Sequence, residues 1–272
     1  MKTANIYFSI MIVLAASFGC GSSIPLTSSH RTENIIVDGN DDDWKNISTF
    51  TEKNNAYSLN VCNDSNYLFL CLTLHNRRQA MSVMRTGLIL WFDNEEGGSK
   101  KFGINYPLGR HGEKPSAMSE ERGRSPETMP EQLQRDLMEM DILGKKESDK
   151  NRIPVFGSEG LKVKINFNSK EEMVYELQVP LRKDRLHPFA IGAESNSKIG
   201  IGIETPEIRF DKEKMGQRPE GGMGEFGGGA PPMENGVGGG RRGGGRRPPE
   251  NAMEFNRKEN TIQQWFTIQL TQ

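Results

Sequence analysis

Residues 56–76, AYSLNVCNDSNYLFLCLTLHN, constrain the fold more than any other stretch. Two runs of alternating apolar and polar side chains flank Asn63-Asp64-Ser65-Asn66, four residues that favour turns. A period of two puts successive side chains on opposite faces of a strand, so the stretch reads as a β-hairpin. Pairing Cys62 with Tyr67 places Tyr57, Leu59 and Val61 on one face with Leu68, Leu70, Leu72 and Leu74. That face is the predicted core. Cys62 and Cys71 fall on the other face, four residues apart along the ladder in this register. At roughly 3.4 Å per residue that exceeds disulfide reach, so free thiols are expected.

Further segments repeat the logic. GLILWFD (87–93) is an apolar run ended by the turn signal NEEGG, and FGINYP follows. LKVKINF and EMVYELQVPL flank NSKE as a second hairpin, with Leu161, Val163, Ile165 and Phe167 on one face. KIGIGIETPEI interleaves isoleucine with glycine, and TIQQWFTIQL closes the chain with Ile262, Phe266, Ile268 and Leu270 on one parity. Short alternating strands joined by turns predict an all-β antiparallel sandwich. A hydrophobic content of 34% in 272 residues suffices for a single core.

Two insertions interrupt the pattern. In the first, residues 111–160, Pro130 suits a helix's first turn, and EQLQRDLMEMDIL puts Leu133, Leu137, Met138 and Met140 on a stripe before Gly144, so a helix is expected. The second, residues 211–258, holds about half of the 30 glycines together with GGGRRGGGRRPPE, a composition too poor in apolar residues to order itself. A disordered loop before the last strand is expected there.

The N-terminus reads as an address. Lys2, the apolar run Ile6–Leu14 and small residues ending at Gly19 precede Cys20. This resembles a bacterial lipoprotein signal, residues 1–19, with Cys20 as the acylated (palmitate-bearing) residue. Gly21, where an aspartate would retain such a protein at the inner membrane, implies the outer membrane. Residues 20–32, containing SSIPLTSSH, suit a tether to a domain at 33–272. A formal net charge of −1 provides no general attraction to nucleic acid, and export argues against RNA as a partner for the Arg241–Arg247 stretch.

The order of features resembles the family 9 carbohydrate-binding modules and the wider DOMON-like superfamily. The pieces that carry the resemblance are IIVDGNDDDWKNI (35–47), NDSNYLFLCLTLHN, LILWFDNEEGG and MVYELQVPL. It implies that Asp38-Gly39 turns the chain after the first strand and that Trp44 plugs the sandwich edge. Ligands across the superfamily range from sugars to haem, and a fold alone does not choose between them.

The candidate site residues follow. Sugar binding needs flat aromatic faces with a few polar groups, and strand parity places Trp265, Trp91, Tyr67 and Phe69 away from the leucine-rich core. The acidic knot fails the EF-hand pattern, since Asp43 stands at the sixth position and Thr49 at the twelfth, yet Asp38, Asn40 and Asp42 remain candidate calcium ligands beside the alternative of a solvated turn. His75, His111, Met81 and Met84 are the residue types that haem would need. No nucleophile elbow, Walker loop or His-Glu-x-x-His pattern occurs, so no enzyme and no organic cofactor are expected. The expectation is thus a non-catalytic, lipid-anchored envelope protein that binds glycan. Its alternatives are a structural lipoprotein with an envelope protein partner and a haem-binding domain.

Overall fold

The computed structural model describes residues 23–31, 34–109, 137–146, 148–158, 160–206 and 261–272. In chain order the elements are strands β1 (Ile24–Thr27), β2 (Ser29–His30), β3 (Thr49–Thr51), β4 (Tyr57–Asn63) and β5 (Tyr67–Leu74), then helix α1 (Arg77–Thr86). Strands β6 (Ile89–Asp93), β7 (Phe102–Asn105), β8 (Glu139–Leu143), β9 (Lys150–Pro154), β10 (Lys162–Phe167), β11 (Met173–Pro180), β12 (Lys198–Glu204) and β13 (Gln263–Gln269) complete the set, and a short 3-10 turn covers Asp42–Trp44.

The strands form two sheets. Sheet A runs β1-β13-β12-β6-β7-β8-β9, and sheet B runs β10-β11-β5-β4-β2 with β3 also on β4. Apart from β1 on β13 and β2 on β4, which are parallel, every pairing is antiparallel. The expected all-β sandwich is therefore the architecture. Its core lies between the sheets, where Leu59, Leu70, Leu72, Tyr175 and Leu177 of sheet B meet Leu90, Phe92, Ile199, Ile201 and Phe266 of sheet A.

The first hairpin keeps its predicted faces but slides by two residues. Cys62 lies opposite Phe69, and Asn63 opposite Leu68. Tyr67 joins the turn instead of pairing with Cys62, because the Asp64 carboxylate accepts the backbone N–H groups of Asn66 and Tyr67. A shift of two preserves parity, so the leucines still face the core. Cys71 now lies opposite Asn60, two ladder positions from Cys62. Both thiols are free and buried, and burial pushes the Cys62 pKa up to about 12 and that of Cys71 higher still.

Three expectations need correction. The helix expected within EQLQRDLMEMDIL does not extend to Met140, since Glu139–Leu143 is strand β8. Residues 130–136 lie outside the described set. The alternation Met140, Asp141, Ile142 decides for a strand: the two apolar residues enter the core, and Asp141 turns to the other face to pair with Lys150 and Arg152 of β9. The tether is likewise partly strand, with Ile24–Thr27 pairing β13 and Ser29–His30 pairing β4. Short polar sequence conceals this because an edge strand needs ladder hydrogen bonds more than apolar side chains. The chain passes from sheet A to sheet B at buried Ser28, whose hydroxyl bonds the Asn63 side chain and the Gln269 carbonyl. Finally, β8 and β9 fall within the first insertion and extend sheet A, while residues 111–136 and 211–258 lie outside the described set.

Helix α1 went unanticipated. Asn76 caps it by accepting the Arg78 N–H at 2.9 Å, and Gly87 ends it with a positive φ of 91°. Ala80 and Val83 bury its inner face. It carries the chain from β5 to β6, from one sheet to the other.

Candidate functional site

The acidic knot is structural. Residues 34–48 cross the outer face of sheet B, where Ile35, Trp44 and Ile47 pack on Cys62, Phe69, Cys71 and Val174. Within this layer, fully buried Glu176 of β11 gathers three donors. Its Oε2 accepts the backbone N–H groups of Asp38 at 2.9 Å and Gly39 at 2.6 Å, and its Oε1 accepts Trp44 Nε1 at 2.6 Å. Burial raises the carboxyl's pKa above the ordinary value, and the three donors pull it back only in part. Gly39 is required twice, by its φ of 88° and because a Cβ there would lie 2.6 Å from Asn166 Cβ. Asp38-Gly39 thus turns the chain as the family resemblance implied, but residues 34–37 ahead of it form no strand, and Trp44 packs on the outer face of sheet B instead of plugging the sandwich edge.

The calcium candidates serve the same turn. Asp38 Oδ1 accepts the Asn40 N–H, the Asn40 amide donates to Asp42 Oδ2, and Asp42 Oδ1 pairs with Lys45. Among the described residues no group of three His, Cys, Asp or Glu side chains is arranged to hold a metal ion.

The four candidate stacking residues do not form one site. Phe69 is 1% exposed, sealed beneath the Trp44 layer with Arg31 over its ring, and is excluded as a ligand platform. Tyr67 is half-buried on the same side and shares a hydrogen bond with His187. Parity had separated both from the core correctly, but the outer face of sheet B has a covering layer of its own.

Trp91 and Trp265 do come together, on the outer face of sheet A. Reading across the sheet, Gly103 of β7 pairs Trp91 of β6, Trp91 pairs Gly202 of β12, and Gly202 pairs Trp265 of β13. Each indole lies face-down on a glycine. A Cβ on Gly103 would meet three atoms of the Trp91 ring at 2.7–3.2 Å, and one on Gly202 three atoms of the Trp265 ring at 2.8–3.0 Å. The glycines interleaved with isoleucine in β12 are thereby explained. Isoleucines fill the core side, while Gly200 and Gly202 leave room for the Trp265 ring on the other.

The two indoles differ in access. Trp91 is only 9% exposed: its Nε1 donates to Glu204 at 3.0 Å, and Lys100, which also pairs with Glu204, stands over the ring. Trp265 is half-buried, touched by Gly98 of the β6–β7 loop. That loop is held by buried Asp93, which accepts the Glu95 and Ser99 N–H groups and pairs with Lys101. Burial pushes the Asp93 carboxyl up, but these partners outweigh it and hold it below the usual range. The sequence signalled both tryptophans by parity. Lys100, Glu204 and the glycine beds became visible only when the strands were aligned.

His75 has no nitrogen left for haem. Nδ1 bonds Glu172 at 2.9 Å and Nε2 bonds Ser58 at 3.1 Å. Met81 is exposed on α1, Met84 packs against the core, and His111 lies outside the described residues.

No family model matches the sequence, and no curated protein matches it. Among solved structures the chain is similar to a family 9 carbohydrate-binding module from Caldicellulosiruptor kristjanssonii in complex with glucose. The two share 12% identity and a TM-score of 0.32 over 68% of this chain and 78% of that one. The same organism's module in complex with cellotriose gives 11% identity and a TM-score of 0.33, over 68% of this chain and 77% of that one. A Bacteroides uniformis protein, provisionally named for carbohydrate binding, gives 10% and 0.35 over 70% and 87%. These are distant likenesses in fold, and no site residue or ligand follows from them.

Proposed function

We propose that the protein is a non-catalytic, glycan-binding lipoprotein of the bacterial envelope, held at the outer membrane by acylated Cys20. The observation that carries the binding role is Trp265, a half-buried indole bedded on Gly202 of the strand that also pairs with Trp91. An aromatic surface fixed by its neighbours, beside groups able to bond hydroxyls, is what sugar stacking requires. Lys100 and Glu204 stand at the neighbouring indole, and Gln263 lies two residues along the strand. The anchor rests on the sequence around Cys20. Among the described residues no helix is long and apolar enough to cross a membrane.

Calorimetry and a glycan array on purified protein test the binding role. Trp265→Ala should abolish binding without loss of the folded state. Absence of binding by the wild type, or equal binding by the variant, would remove the proposal. Mass spectrometry of membrane-extracted protein should find acyl chains on Cys20, and Cys20→Ala should release the protein from the membrane fraction.

A further inference from the structure

One end of the sandwich carries a cleft of about 1020 Å³ between the β3–β4 turn, the first turn of α1 and the start of β13. Its wall is dominated by side-chain amides, those of Asn54, Asn55, Asn76, Gln79, Gln263 and Gln264. The wall carries no excess charge. Glu52 and Glu172 contribute two negative charges and Arg77 and Arg78 two positive ones, and His75 is bonded to Glu172. Such a surface is matched to a ligand that both donates and accepts hydrogen bonds and bears no charge, which is the chemistry of a polyhydroxylated molecule.

Gln79 adds an independent pointer. It is only 3% exposed, its Oε1 has no hydrogen-bond partner, and it borders the cleft. Buried amides are ordinarily satisfied, so one left open beside a polar cleft marks a position for an outside partner. The Arg78 guanidinium likewise makes no ion pair among the described residues, whereas Arg77 is paired with Glu171. Gln263 connects the cleft to the tryptophan site. It lines the cleft and shares the outer face of β13 with Trp265, two residues and about 7 Å away along the strand.

We infer that this cleft is a second saccharide subsite continuous with Trp265, so that the ligand is a neutral oligosaccharide spanning both. The inference rests on the Trp265 reading above. One unit stacks on the indole, and the next units pass Gln263 to bond the Gln79 amide and Arg78.

The test measures affinity against chain length by calorimetry, using mono- and trisaccharides of the cello-, xylo-, manno- and malto-series with the purified full chain. In the series that binds, the trisaccharide should bind at least tenfold more tightly than the monosaccharide. Arg78→Ala, an exposed change, and Gln79→Leu, which removes the unsatisfied amide, should each erase that gain, leaving monosaccharide affinity and the urea midpoint at or above wild type. Trp265→Ala should weaken both lengths. A length gain that survives both cleft variants, or monosaccharide binding with no length gain, overturns the cleft and leaves Trp265 standing. Failure of all four series to bind overturns the neutral-oligosaccharide cleft, and the glycan array then decides the Trp265 reading on its own.

Discussion

The buried Glu176 carboxylate offers the most direct test of how residues 34–48 are held to sheet B. In Glu176→Gln the side chain keeps its shape but only one of its two terminal atoms accepts hydrogen bonds. If the oxygen faces Asp38 and Gly39, the new NH₂ meets the Trp44 indole N–H, and the reverse orientation sets it against two backbone donors. At least one charge-assisted bond is lost, worth about 1.5–3 kcal/mol, and a buried donor is orphaned at about 1–3 kcal/mol. Relief from burying a charge offsets part of this, since burial already raises the pKa of Glu176. The expected net loss is about 2–4 kcal/mol, or a fall in Tm of roughly 5–15 °C for a domain near 200 residues. Urea unfolding followed by far-UV circular dichroism measures it, with Trp44→Phe and the double variant completing a cycle. The coupling between the two sites should exceed about 1 kcal/mol. A Glu176→Gln stability within about 0.5 kcal/mol of wild type would refute the role assigned to this carboxylate.

Two further predictions concern sheet A. Gly202→Ala places a methyl group 2.8 Å from the Trp265 ring, so the indole must shift; near-UV circular dichroism should change and stability should fall by about 1–3 kcal/mol. Asp93 and Asp141 both have pKa values held below the ordinary carboxylate range, the first by Lys101 and loop amides and the second by Arg152 and Lys150, in each case against burial. A depressed folded-state pKa means stability fully present above the unfolded value and lost as pH falls from about 4 through the folded value. Urea midpoints between pH 2 and 7 should decline on the acid side, and Asp141→Asn should be less stable at pH 7 with a shallower acid decline.

Much of the fold was legible along the chain because a half-buried strand writes its orientation into every second residue. The leucine face of β4 and β5, the isoleucines of β12 and the closing strand all follow from that period. So did the separation of Trp91 and Trp265 from the core and the free thiols of Cys62 and Cys71, whereas the Asp38-Gly39 turn was implied only by the family resemblance. What failed was local evidence that tertiary context overrode. EQLQRDLMEMDIL has a helical stripe and also a two-residue alternation at Met140–Ile142, and only pairing with Phe102–Asn105 and Lys150–Pro154 decides between them. SSIPLTSSH becomes strand because β13 and β4 present open edges to it.

The functional face divides in the same way. Period two determines which side of a strand a residue occupies, but it cannot say whether that side meets solvent, because cover comes from chain distant in sequence. Phe69 and Trp265 had equal claims by parity. The first lies under Ile35 and Trp44 and the second is partly open, since residues 34–48 cross sheet B rather than sheet A. Glu176, an ordinary residue of MVYELQVPL, became the hub of that cover only when the fold brought Trp44, 132 residues away, within 2.6 Å of it. The sequence by itself determined the central strands and their faces, because alternation is written into each; the tertiary structure decided β1, β2 and β8, and which faces remained open, because both depend on partners distant in sequence.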